Sequence, residues 1–259
     1  MNRSPVRPSP LFLALVAVTI AGAVLTAVSA PTLSSLLSPS IPYTLGLVLL
    51  VAGGWVVSLC LHEFGHAFVA FRGGDHETHL RGYLTLDPRR YTDPVLSIVL
   101  PLLFLALGGI PLPGGAVLIN HHALRSRGIQ SLVSLAGPAF NLLIGLLLTL
   151  AVAVVPMPAG LLVALTYLAF LQVFTFVLNI LPVPGFDGYG VIAPHLSPQA
   201  RAMGDKARMW APLVLFAALF AIPGVSTALF RIGSGLFGLI GGNTDVALYG
   251  SILFRFWLK

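Results

Sequence analysis

The chain has 259 residues, of which 57% are hydrophobic and only 8% charged, and its mean hydropathy is +0.95. A soluble domain carries about 25% charged residues, so this composition excludes a water-soluble globular protein and indicates an integral membrane protein. The net charge of +6 does not signal a nucleic-acid partner, because the 14 Lys and Arg sit in connections beside apolar runs, as charges that hold loops on the cytoplasmic side do.

The apolar runs are long enough for helices rather than barrel strands. The expected fold is therefore an all-α polytopic membrane protein with about six transmembrane helices. It divides into an N-terminal segment (residues 1–40), a membrane-embedded core (41–192) and a cytoplasmic loop with C-terminal membrane helices (193–259). The single Cys60 excludes an internal disulfide. It reads as a small buried apolar residue.

Arg3 and Arg7 precede an uncharged run over residues 11–30. Val28-Ser29-Ala30 resembles a signal-peptide cleavage site, but the run is long for a signal sequence and reads as a retained first helix. Either way the basic end stays inside, which puts the Ser- and Pro-rich stretch 31–40 outside the cytoplasm.

The second run, residues 43–71, carries His62-Glu63-Phe64-Gly65-His66 near its end. On a helix, His62 and His66 lie one turn apart on one face and aim both imidazoles at a common point, as two zinc ligands must. Glu63 can reach a water at such a metal without ligating it and act as general base. Ionisable groups inside a membrane span are expensive, so they call for a functional explanation. Arg72-Gly73-Gly74 stops the helix, and residues 72–90 hold four Arg, which marks the loop as cytoplasmic. Residues 82–86 alternate weakly and suggest a short strand at the membrane surface. His76 and His79 in the same loop read as solvated polar residues rather than a second metal site.

The third run, residues 95–113, contains Pro101, Gly108, Gly109, Pro111 and Pro113, which is no way to build a straight span. Residues 132–155 form a convincing span, followed by Pro156-Met157-Pro158 and another span over 161–181. Tyr167, Phe170 and Phe174 make a stripe on it at helical spacing that reads as core packing. Asp187 is the only acidic residue at the end of that uncharged run. Catalytic zinc usually takes three protein ligands and one open position, which makes Asp187 the natural third. All three ligands lie near C-terminal ends, so the second and fifth runs must point the same way, with an odd number of crossings between them. The Pro- and Gly-broken stretch 95–113 is then expected not to cross. It should enter and leave on the cytoplasmic side as a re-entrant element, buried in protein or lining a wet cavity. Under this scheme Arg125, Arg127, Arg201, Lys206 and Arg208 join the earlier Arg residues on one side. Residues 209–223 form a short sixth span. Residues 226–242 and 247–259 make an imperfect return helix or lie at the interface, and His195 is a polar loop residue.

Three motifs now stand together: His62-Glu63-Phe64-Gly65-His66, Gly137-Pro138-Ala139-Phe140-Asn141, and Asn179-Ile180-Leu181-Pro182-Val183-Pro184-Gly185-Phe186-Asp187-Gly188. In them the chain resembles the site-2 protease family of intramembrane zinc metalloproteases, over about residues 54–192. It departs at Gly185 and Phe186, where Pro and Leu are more usual. The stretch from Leu84-Thr85-Leu86-Asp87-Pro88 to Asp93-Pro94 looks like the compact bacterial branch, and there is no room for an inserted PDZ domain or a following nucleotide-sensing domain. The resemblance implies a multi-pass protein of a bacterial cell membrane that cleaves the transmembrane helix of a partner protein within the bilayer, nearer the cytoplasmic side. It implies zinc held by His62, His66 and Asp187, with Glu63 activating water. It gives Asn141 a part in orienting the substrate or the developing oxyanion. Read without the resemblance, a buried Asn there equally bonds a neighbouring helix. Gly114 and Gly115 resemble a family loop that pairs with an unwound substrate by strand addition, and equally suit a tight turn. Asn179 reads as a brace for the broken helix at Pro182, and residues 95–120 as part of a substrate cleft. Two other functions compete: a catalytically silent membrane adaptor of the same fold, and a metal or proton transporter. The intact ligand set and Glu63 speak against the first. The single cluster of ionisable groups speaks against the second.

Overall fold

The computed structural model describes residues 6–90 and 117–258. Helix α1 spans Pro10–Ser29, opened by the Ser9 side chain, which accepts from the Phe12 N–H, and by Pro10 at the first helical position. Helix α2 spans Ile41–Gly73 and begins the same way, with Ser40 accepting from the Tyr43 N–H. It stops at Gly74, whose φ of +122° no side chain tolerates well. Helix α3 is Arg127–Val154, capped by Ser126 and carrying Pro138 inside it. Helix α4 is Ala159–Asn179.

These four are long and apolar enough to cross a membrane. Helices α2 and α4 are mostly buried, while α1 and α3 turn apolar faces outward. Such faces on Leu132, Leu143, Leu147 and Leu150 suit lipid rather than water. Helices α1 and α2 meet backbone to backbone. A Cβ on Gly22 would collide with the Leu50 nitrogen, and one on Gly46 would lie 2.8 Å from the Thr26 nitrogen. Missing side chains let dispersion contacts form along the whole seam.

Backbone hydrogen bonds fix the direction of each helix. The Gly160 N–H reaches the Ala30 carbonyl at 2.8 Å, so α4 starts where α1 ends. The Ser9 N–H reaches Thr85 at 2.8 Å and the Arg125 N–H reaches Gly73 at 3.1 Å, so α1 and α3 start where α2 ends. Helices α2 and α4 therefore run the same way, with α3 between them running back. Asp75 ties the loops at that end together: its Oδ1 accepts from the Glu77 N–H and its Oδ2 from the Asn120 N–H at 2.8 Å.

Beyond α4 come α5 (Asp187–Ile192), α6 (Pro198–Ala207), α7 (Ala211–Ala221), α8 (Pro223–Leu239) and α9 (Thr244–Phe254). Helices α8 and α9 pack on α4. Phe237 meets Phe170 edge to face, Gly233 lets Phe174 approach, and Gly250 lies on Tyr167. The aromatic stripe of α4 is thus buried core.

Three expectations change. The weak alternation at 82–86 does not make a strand. Tyr83–Thr85 is a single 3₁₀ turn between Gly82 at φ +78° and Leu86 at φ +58°, and left-handed residues at both ends cannot continue an extended chain. No strand occurs among the described residues. The sixth span is also not a span by itself. Helix α7 has 11 residues, about 16 Å of rise, and at Pro223 the chain bends by 100° into α8. The described residues hold four spanning helices, or five if that bent pair counts as one, rather than about six. The re-entrant stretch 95–113, with Gly114 and Gly115, lies outside the described residues.

Candidate zinc centre

The site forms where α2, α3 and the start of α5 converge. In α2, His62 and His66 point the same way and their Nε2 atoms lie 3.0 Å apart. Asp187 comes from the far end of α4. Pro182 and Pro184 end that helix, because neither can donate to a helical turn. Gly185 turns the chain at φ +103°, and α5 restarts with Asp187 as its first residue. Gly188 makes the return tight, since a Cβ there would overlap the Ile180 carbonyl. Helix α5 is held on α3 by the Ser131 hydroxyl, which donates to the Val191 carbonyl at 2.7 Å and lies 3.1 Å from His195 Nε2.

This brings Asp187 Oδ2 to 3.2 Å from His62 Nε2 and Oδ1 to 3.4 Å from His66 Nε2. Ligands at zinc bond lengths of about 2.0–2.1 Å form a tetrahedron with edges of about 3.3–3.4 Å. The Nε2–Nε2 separation and each imidazole's shortest distance to the carboxylate, one to each oxygen, are close to that edge length. The protonation pattern agrees. His66 Nδ1 is 2.6 Å from the Val133 carbonyl, which can only accept, so Nδ1 carries a hydrogen and in the neutral ring Nε2 presents a lone pair. His62 Nδ1 is 2.6 Å from Asn141 Oδ1. Two imidazole lone pairs and a carboxylate then face one point, an arrangement that repels itself unless a cation sits there. Among the described residues this is the one cluster of metal-ligating side chains.

The second helix supplies room as well as partners. Pro138 has no N–H for the Ser134 carbonyl and opens the preceding turn of α3, where Val133 meets His66. Gly137 lies directly over the imidazoles. A Cβ there would overlap His66 Nε2 and sit 2.6 Å from His62 Nε2. Gly65 is its counterpart on α2, where a Cβ would lie 2.9 Å from the Ala136 carbonyl. The backbone that approaches Gly65 is therefore that of α3. Glu63 is buried beside the pair, and the Val117 backbone hydrogen-bonds to its carboxylate. The side chains of His62 and His66 are 7% and 8% exposed against 25% for Asp187, so the site opens on the Asp187 side.

Asn141 bonds both neighbouring helices. Its Oδ1 faces His62, and its Nδ2 donates to Gln172 Oε1 on α4 at 2.8 Å. Asn179 is buried as the last residue of α4. His76 and His79 pack against Phe71. Sequence reasoning named Gly137 only within its motif, with no role of its own, and missed Gln172 altogether. The signals were a Gly-Pro pair inside a span and a long amide in the middle of an apolar helix.

No family model matches the chain, and no solved structure does so significantly. A curated relative is the protein named zinc metalloprotease Rip2 of Mycobacterium tuberculosis, 46% identical over 258 residues, which are 99% of this chain and 96% of that protein. The chain belongs to the site-2 protease family. Other relatives of this protease are the Mycolicibacterium smegmatis protein of the same name, 44% identical over 98% of this chain and 96% of its own length, and the protein named zinc metalloprotease YwhC of Bacillus subtilis. The latter is 31% identical over 65% of this chain and 78% of its own. The protease is thus a zinc metallopeptidase and a multi-pass membrane protein.

Proposed function

We propose that this protease cleaves a peptide bond in the transmembrane helix of a partner protein, at a site held by His62, His66 and Asp187. The observation that carries this reading is the convergence of those three side chains, from segments far apart in the sequence, beside a buried Glu63. Bound zinc supplies a Lewis acid that polarises the peptide carbonyl and acidifies the attacking water. Glu63 takes the proton from that water and passes it to the leaving amine. Asn141 and the Val133 carbonyl hold the two imidazoles in the tautomer that leaves Nε2 free. The opening beside Asp187 admits water. His62 and His66 lie 11 and 7 residues before the end of α2, about 10–16 Å along the axis, which supports a depth inside the bilayer near the basic, cytoplasmic end. Gly114 and Gly115, close in sequence to Val117 at Glu63, are proposed to contact the substrate backbone.

The test is Glu63→Gln in the purified full chain, with zinc content and cleavage of a transmembrane substrate measured together. About one zinc per chain should be retained while cleavage falls about 10²- to 10⁴-fold. Undiminished cleavage refutes the role of Glu63, and a wild-type chain that holds no zinc refutes the ligand set.

A further inference from the structure

Gln172 lies mid-way along α4 and is fully buried. Its Oε1 accepts from Asn141 Nδ2 at 2.8 Å, and Asn141 Oδ1 in turn accepts from His62 Nδ1 at 2.6 Å. Its own Nε2 has no hydrogen-bond partner among the described residues. Burying an amide N–H without a partner is costly, so an apolar residue would suit this place in the helix better. Something keeps an amide there.

The hydrogen bonds say what. A zinc ligand must present Nε2 as a lone pair, so His62 Nδ1 must carry the hydrogen. Asn141 must then turn its carbonyl to His62, and its NH₂ must point at α4. That NH₂ needs an acceptor, and Gln172 Oε1 is the acceptor it finds. With no acceptor there, the Asn141 amide loses its reason to face this way. In the flipped orientation it would donate to His62 Nδ1 and drive the hydrogen to Nε2, which blocks ligation. We infer that Gln172 is a positioning residue of the zinc site, acting through Asn141 to keep His62 in its ligating tautomer. The inference rests on the proposed zinc site and adds α4 to the helices that build it. Helix α2 carries the ligand, α3 the orienting amide and α4 the group that orients the amide.

The test is zinc affinity, read by competition with a chromophoric chelator on the full chain in detergent. Gln172→Met keeps the length and removes the acceptor, and Gln172→Leu is a second variant with the same expectation. Both should weaken zinc binding at least about tenfold, within the 10- to 100-fold range for outer partners of metal ligands. Gln172→Glu keeps a carbonyl oxygen in place and should stay within about threefold of wild type. In an Asn141→Ala background, Gln172→Met should weaken binding no further, because its route to His62 is gone. Wild-type affinity in both apolar variants would overturn the inference, as would additive losses in the double variant. A wild-type chain that holds no zinc would instead overturn the zinc site itself, so the two failures are distinguishable.

Discussion

At Gly137 one hydrogen atom stands where any other residue would place a carbon against two imidazole nitrogens. Gly137→Ala keeps the helix propensity of α3, since Ala favours a helix by about 1 kcal/mol over Gly, but the added carbon must displace two buried, hydrogen-bonded imidazoles, at the overpacking cost of about 1–3 kcal/mol. It should also lower zinc affinity at least about tenfold. Metal analysis of the purified variant beside its thermal unfolding checks both halves, and normal zinc content would show that the imidazoles can move aside. The cluster of His62, His66 and Asp187 could be found in the sequence because charges in an apolar run need a reason and because ligand spacing follows helix geometry. Gly137 and Gln172 could not. Glycine is frequent in membrane helices for many reasons, and an amide on a buried helix has several possible neighbours until the helices are packed.

At the scale of elements, the α1–α2 seam is a contact of backbone on backbone. Gly22→Leu should lower stability by at least about 1–3 kcal/mol, the usual cost of overpacking, because the added carbons meet the Leu50 backbone rather than a side chain that can turn. Gly224→Leu, where a Cβ meets nothing within 4 Å, should be nearly neutral. Thermal unfolding in detergent compares the pair. Long elements were legible because uncharged runs of this length have few alternatives, and α1, α2, α3 and α4 all lie where such runs stand. The short ones were not. Alternation over residues 82–86 is a two-residue period sampled barely twice, and the left-handed Leu86 that defeats it carries no compositional mark. At α7, the expected end at Pro223 is where the chain bends, but the 11 helical residues before it are too few to span alone.

For the whole molecule, the expectation that His62, His66 and Asp187 meet at one depth requires α2 and α4 to run the same way, and they do. In the structure the loops around Arg81 and Lys206 lie at one end of the bundle and the stretch around Ser34 at the other. Single-cysteine reporters at Arg81 and Lys206, in a Cys60→Ala background, should label from the same side of the membrane, and a reporter at Ser34 from the opposite side. Labelling of Arg81 and Lys206 from opposite sides would refute the arrangement.

Helix α7 carries one more consequence. It exposes Leu213, Val214 and Phe220, yet it rises only about 16 Å where the hydrocarbon layer is about 30 Å thick. An apolar wall of half the layer's height is a mismatch that local thinning of the bilayer would relieve, at fractions of a kcal/mol per Å. Pro212 at the base of α7 touches Gly185, two residues before Asp187. This short apolar helix therefore stands against the turn that carries Asp187, the most exposed of the three clustered side chains.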